Sequence, residues 1–144
     1  MQTIMIIDDL SFCRELFALA IERHGYRVVM AGSGGEGLAM MRRARPDLLV
    51  LDAHMPPPDG LAVLEAIRGD AALRDLPVFL LTALEEREVI LRAAQLGAQE
   101  YILKSQFVLD ELLTRIHRQL DPAAAPADAA AAPHEVAGII VAPT

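Results

Sequence analysis

The chain has one cysteine, one lysine, a shortage of basic charge and no long apolar run, and each scarcity excludes something. Cys13 stands alone, so no internal disulfide can form, and the chain suits a reducing compartment. Thirteen basic residues face twenty acidic ones, a formal charge of −7. That balance lacks the basic footprint that direct nucleic-acid binding needs. Apolar stretches such as 77–84 and 136–143 fall well short of the roughly 18 residues a membrane-crossing helix requires. The first residues run Met1-Gln2-Thr3-Ile4-Met5-Ile6-Ile7-Asp8-Asp9, with no basic start and two acids closing a short apolar stretch. This predicts no signal peptide and a cytoplasmic setting. Twelve of the thirteen bases are arginine, and Lys104 is the exception.

What is present suffices for one domain of 144 residues with a sizeable core. Composition shifts after Leu120. Residues 122–144 hold ten alanines and four prolines, which oppose a continuous helix. The expected organisation is a folded unit over 1–121 and an Ala/Pro-rich linker or disordered tail over 122–144. The apolar residues 137–142 leave open a short docking strand or the beginning of a further segment.

Two hydrophobic periods alternate through the folded part. Strands are expected at 3–7, 27–31, 48–51, 77–81 and 100–103. Helices are expected at 11–24, 36–45, 59–68, 85–96 and 106–120, with Gly25, Pro46, Gly69 and Gly97 as stops. The first helix repeats Phe12, Leu16, Leu19 and Ala20 at helical spacing. The last aligns Leu109, Leu112, Leu113, Ile116 and Leu120 on one stripe. Strands joined through helices run parallel with right-handed crossovers, and a run such as Leu48-Leu49-Val50-Leu51 suits a sheet covered on both faces. The fold class is therefore α/β, a doubly wound five-stranded parallel sheet with five helices. Such folds bind ligands beyond the carboxyl ends of their strands.

Those ends carry Asp8 and Asp9, Asp52, Thr82 and Lys104. Three carboxylates brought together repel one another, and a hard divalent cation such as Mg²⁺ resolves the repulsion. Lys104 adds a mobile point charge and Thr82 a hydroxyl donor. A carboxylate nucleophile, a metal, a cation and a donor are the requirements of phosphoryl transfer.

Over 1–121 the sequence resembles the receiver domain of bacterial two-component response regulators, including the single-domain chemotaxis type with its flavodoxin-like fold. The motifs are Asp8-Asp9, the stretch Asp52-Ala53-His54-Met55-Pro56-Pro57-Pro58-Asp59-Gly60 matching D-x-x-M-P-x-x-D-G, Thr82-Ala83, and Lys104. The resemblance implies a phosphorelay protein whose Asp52 accepts a phosphoryl group from a histidine kinase or a histidine phosphotransfer protein. It implies Mg²⁺ held by Asp9 and Asp52 through side chains, by His54 through its backbone carbonyl, and by Asp8 through water. Thr82 and Lys104 would hold the phosphoryl group. Thr82 and Tyr101 would form a switch in which Tyr101 turns inward and changes the face of the fourth helix, fifth strand and fifth helix. Such a domain is no enzyme beyond catalysing its own phosphorylation and dephosphorylation. Its output would pass to a protein target, to an effector domain outside this sequence, or to a phosphorylation-dependent dimer. The His54 side chain, whose imidazole suits softer metals than Mg²⁺, is expected to tune access of water.

One position departs from the family pattern. Ser105 follows Lys104 where the family carries a proline joined through a cis bond. A cis bond before a non-proline residue costs about 2.5–4 kcal/mol, so a trans loop and a strained one both stay open. Two competing readings remain. A pseudo-receiver would dock a partner without being phosphorylated. A dinucleotide site would use Gly32-Ser33-Gly34-Gly35-Glu36-Gly37, which fits G-x-G-x-x-G, with Asp52 about 20 residues on.

Overall fold

The computed structural model describes residues 1–105 and 108–121, together with the backbone of 134–136 and 139–141. The elements run β1 (Thr3–Ile7), α1 (Ser11–Glu22), β2 (Arg27–Ala31), α2 (Gly34–Arg43), β3 (Leu48–Asp52), α3 (Gly60–Gly69), β4 (Val78–Thr82), α4 (Arg87–Gln95), β5 (Glu100–Leu103) and α5 (Val108–Leu120). Two short strands complete the chain order, β6 (His134–Val136) and β7 (Ile139–Val141).

β1 to β5 all pair in parallel, in the order β2-β1-β3-β4-β5. This is the expected doubly wound sheet of five strands and five helices. It is extended at one edge, where β7 pairs in parallel with β5 and β6 in antiparallel with β7. The apolar residues 139–141 thus lie as a strand along β5. Residues 106 and 107 of the expected fifth helix, and 122–133, 137, 138 and 142–144 of the expected tail, lie outside the described residues.

Alternation along each strand divides the core into two. Met5, Ile7, Leu49, Leu51, Leu80 and Tyr101 face the layer of α2, α3 and α4. Ile4, Ile6, Leu48, Val50, Phe79 and Ile102 face α1 and α5, meeting Phe17, Ile21, Leu112 and Ile116. A strand with both sides covered has no reason to carry a polar residue, and this is why the strands read as continuous apolar runs.

The first helix carries two apolar stripes. α1 packs through Phe17, Ala18 and Ile21, while Phe12, Leu16 and Leu19 stand 76%, 41% and 49% exposed. The periodic stripe is the outward face. The glycine run finds its role in close packing. Ser33 caps α2 by accepting a hydrogen bond from the Glu36 amide at 3.2 Å, so the helix begins two residues earlier than expected. A Cβ on Gly34 would strike Val63 and Pro58, and one on Gly37 would strike Ile7. Only hydrogen at these positions lets α2 lie against β1 and α3.

Gly60 packs against the carboxyl end of β3. It opens α3 behind its cap, Asp59, whose carboxylate accepts from the Ala62 amide at 2.9 Å. A Cβ on Gly60 would run into the Asp52 carbonyl oxygen and the Ala53 backbone. Gly60→Ala is therefore expected to destabilise the chain by about 1–3 kcal/mol, measured as a lower urea midpoint at unchanged slope.

Candidate functional site

The parallel register delivers the site. Asp8 and Asp9 follow β1, Asp52 closes β3, Thr82 closes β4 and Lys104 follows β5. β3 and β4 align Asp52 with Leu81, and β4 and β5 align Thr82 with Leu103, so these side chains arrive at one edge. The Lys104 amide donates to the Thr82 carbonyl at 2.7 Å and continues the ladder past the strand.

Asp8, Asp9 and Asp52 each offer a carboxylate oxygen within 4.8 Å of the others. Asp8 and Asp52 are buried, 2% and 6% exposed, whereas Asp9 faces solvent. Lys104 Nζ stands 3.3 Å from Asp8 Oδ2 and 3.6 Å from Asp52 Oδ1. The Leu10 amide donates to Asp8 Oδ1 at 2.9 Å, and the His54 amide to Asp52 Oδ1 at 3.2 Å. Arg14 donates to the Asp8 carbonyl at 2.7 Å and fixes the turn out of β1. The donors are all hard oxygens, three of them anionic, with one side open. This set fits a hard divalent cation that keeps some of its water.

Burial pushes the Asp52 carboxyl up to about 6, against the pull of Lys104 and with a further push from Asp8; the His54 amide lowers it and Asp9 raises it. A carboxyl displaced in this way suits a reactive group in a partly dry site.

Thr82 is fully buried, and its hydroxyl is engaged by its own loop. It donates to the Leu84 carbonyl and accepts from the Leu84 amide, both at 3.1 Å. Tyr101 lies at the edge of this group, 2% exposed, and its hydroxyl donates to the same Leu84 carbonyl at 3.3 Å. Tyr101 thus already stands inward, the placement that the family resemblance implies for the switched state. The His54 ring points away from the carboxylates, its Nε2 lying 3.2 Å from Glu86 Oε1. Glu86 is a residue that the sequence alone does not bring out: it falls inside the helix expected over 85–96, whereas α4 begins after it at Arg87. Among the described residues the one cis peptide bond joins Pro57 and Pro58, so Lys104–Ser105 is trans.

The family model for the response regulator receiver domain matches residues 4–117. Response regulator MprA of Mycobacterium leprae is 40% identical over 117 residues, 81% of this chain and 50% of its own length. The DNA-binding dual master transcriptional regulator RpaA of Synechocystis sp. is 35% identical over 120 residues, 83% of this chain and 49% of its own. The chain thus spans about half the length of these curated relatives. Among solved structures, response regulator protein TrrA from Thermotoga maritima, in complex with Mg²⁺-BeF, matches with a TM-score of 0.74 at 33% identity. That match covers 83% of this chain and 100% of TrrA.

The folded pKa of Asp52, about 6, lies above its ordinary value of 3.8, so folding favours the protonated acid. The contribution to stability is full below 3.8 and is lost as pH rises through about 6. With metal removed by chelator, Asp52→Asn is expected to exceed the natural chain in stability by about 1–3 kcal/mol at neutral pH. The gap closes as the solution is acidified below the ordinary carboxylate value. Urea titration of both proteins across this pH range measures it.

Proposed function

The chain belongs to the response regulator receiver domains, which are signalling domains, and from that membership we propose that Asp52 accepts a phosphoryl group from the phosphohistidine of a kinase or phosphotransfer partner. The observation that carries this reading is the buried Asp52 carboxylate at the end of β3, flanked by Asp8 and Asp9 and 3.6 Å from the Lys104 ammonium.

With a pKa near 6 the Asp52 carboxylate is mostly ionised at neutral pH and nucleophilic. One oxygen attacks phosphorus. The new O–P bond forms as the N–P bond of the donor breaks, and the electron pair leaves on the donor's imidazole. Lys104, a compact ammonium on a flexible stem, follows the oxygens of the group as it arrives. Asp8, Asp9 and Asp52, with the His54 carbonyl, would hold Mg²⁺, which when bound supplies positive charge to those oxygens. Water later attacks phosphorus and releases phosphate, so the domain catalyses only its own modification and its removal. The exposed stripe of Phe12, Leu16 and Leu19 starts three residues from Asp9 and offers the donor an apolar surface beside the site.

Leu84 supplies the link from chemistry to output. Its carbonyl accepts from both Thr82 and Tyr101. When Thr82 turns its hydroxyl to the phosphoryl group, that carbonyl loses one donor and the loop into α4 is free to move with Tyr101. The face of α4, β5 and α5 changes with it, a shift of population biased by one new dianion. Residues 1–121 form the receiver, and beyond it 139–141 lie along β5 as an added strand. The signal passes in the cytoplasm to a protein target, to an effector domain or to a second copy. No helix among the described residues is long and apolar enough to cross a membrane.

Intact-mass measurement after treatment with acetyl phosphate tests the reading. The natural chain is expected to gain one phosphate with Mg²⁺ and none in chelator, and Asp52→Asn to gain none under either condition. Lys104→Ala is expected to slow uptake by about 10²-fold. A natural chain that stays unmodified overturns the reading in favour of a docking module that is never phosphorylated.

A further inference from the structure

Two loops meet at the mouth of the site through one pair of side chains. His54 follows Asp52 by two residues and stays bonded to it through its amide. Glu86 follows Thr82 by four residues and occupies the N-cap position of α4. An N-cap side chain ordinarily satisfies the free amides of the first helical turn. Glu86 makes no such bond. Its carboxylate instead meets His54 Nε2 at 3.2 Å.

The two ends of α4 are held unequally. At its C-terminal end, Arg68 of α3 donates from Nε to the Leu96 carbonyl at 2.7 Å and from a terminal nitrogen to the Gly97 carbonyl at 2.8 Å. The other terminal nitrogen reaches the Arg74 and Leu76 carbonyls at 2.9 and 2.8 Å. A fork with four acceptors is a fixed anchor. At the N-terminal end the helix is uncapped by side chain and tied to His54 through side chains 44% and 43% exposed. A half-exposed pair of this kind biases an equilibrium without locking it.

We infer that His54 and Glu86 form a latch, which joins the phosphoacceptor loop to the start of α4 and restricts the access of water to Asp52. This rests on the reading of Asp52 as phosphoacceptor. Both are positioning residues, since neither side chain reaches the reacting atoms. Closed, the latch makes the first turn of α4 follow the Asp52 loop. Open, it lets the first turn of α4 move independently of the Asp52 loop.

The lifetime of the acyl phosphate, followed by intact mass after acetyl phosphate is removed from the Mg²⁺-loaded full chain, tests the latch. His54→Ala and Glu86→Ala are each expected to shorten the lifetime by about two- to fivefold. The double variant is expected to be no shorter-lived than the worse single, because both remove one interaction. Glu88→Ala, which removes an exposed acid from the same helical turn, leaves the lifetime unchanged. Amide exchange over 87–90 is expected to quicken equally in the two single variants, a change that loss of a bystander side chain does not produce. Unchanged lifetimes in both single variants, effects that multiply in the double, or an equal effect of Glu88→Ala each overturn the latch. Should the natural chain take up no phosphate, the phosphoacceptor reading fails by that result. Amide exchange over 87–90 then decides whether the two loops are coupled, and no change in it overturns the coupling as well.

Discussion

Lys104 Nζ stands between two buried carboxylates, 3.3 Å from Asp8 and 3.6 Å from Asp52, with the acid of Asp9 close by. Removing charges from water is costly, and like charges gathered in one place add to the cost. One ammonium offsets part of it, and the remainder is seen in the raised pKa of Asp52. The site is thus left short of positive charge, a condition that favours a hard divalent cation. Twelve other bases in the chain are arginine. A rigid guanidinium fork at position 104 would fix one geometry around the carboxylates, whereas the ammonium on its flexible stem serves two successive arrangements of oxygens.

The sheet exists around this edge. Parallel strands in the order β2-β1-β3-β4-β5 set the ends of β1, β3, β4 and β5 side by side. The D-x-x-M-P-x-x-D-G stretch then divides its labour. Asp52 carries chemistry, Met55 enters the core, Asp59 caps α3 and Gly60 allows α3 to start against the Asp52 carbonyl. A motif that reads as one signature is a reactive residue followed by the means of turning the chain back without displacing it. Gly34 and Gly37 do for α2 what Gly60 does for α3. This accounts for a glycine run that also fits a dinucleotide fingerprint.

Much of this was legible in the sequence, for reasons that differ by element. β1, β3 and β4 are buried along nearly their whole length, so their apolar runs read plainly as strands, and Asp8, Asp9, Asp52, Thr82 and Lys104 follow as strand ends. The face of α1 was not legible. Phe12, Leu16 and Leu19 repeat at helical spacing as well as Phe17, Ala18 and Ile21 do, and periodicity cannot choose between two apolar stripes on one helix. The start of α2 was hidden by Gly34 and Gly35, poor helix formers that the Ser33 cap outweighs. The pairing of β7 with β5 depends on an open strand edge, which no local pattern in 139–141 records. Glu86 escaped because its partner is 32 residues away and both belong to loops.

Leu84 joins these levels. A leucine chosen for its carbonyl rather than its side chain leaves no trace in sequence, yet that oxygen accepts from Thr82 and from Tyr101 at once. Tyr101 is held inward by this bond and by burial, and β5 places it opposite Leu80 of β4 and three residues before Lys104. The trans bond after Lys104 leaves the lysine in reach of Asp52. Two chains of contact thus connect Asp52 and Tyr101. One runs across the strand ends through Lys104 into β5. The other runs through the Thr82 hydroxyl and the Leu84 carbonyl. Both converge on a single four-residue strand.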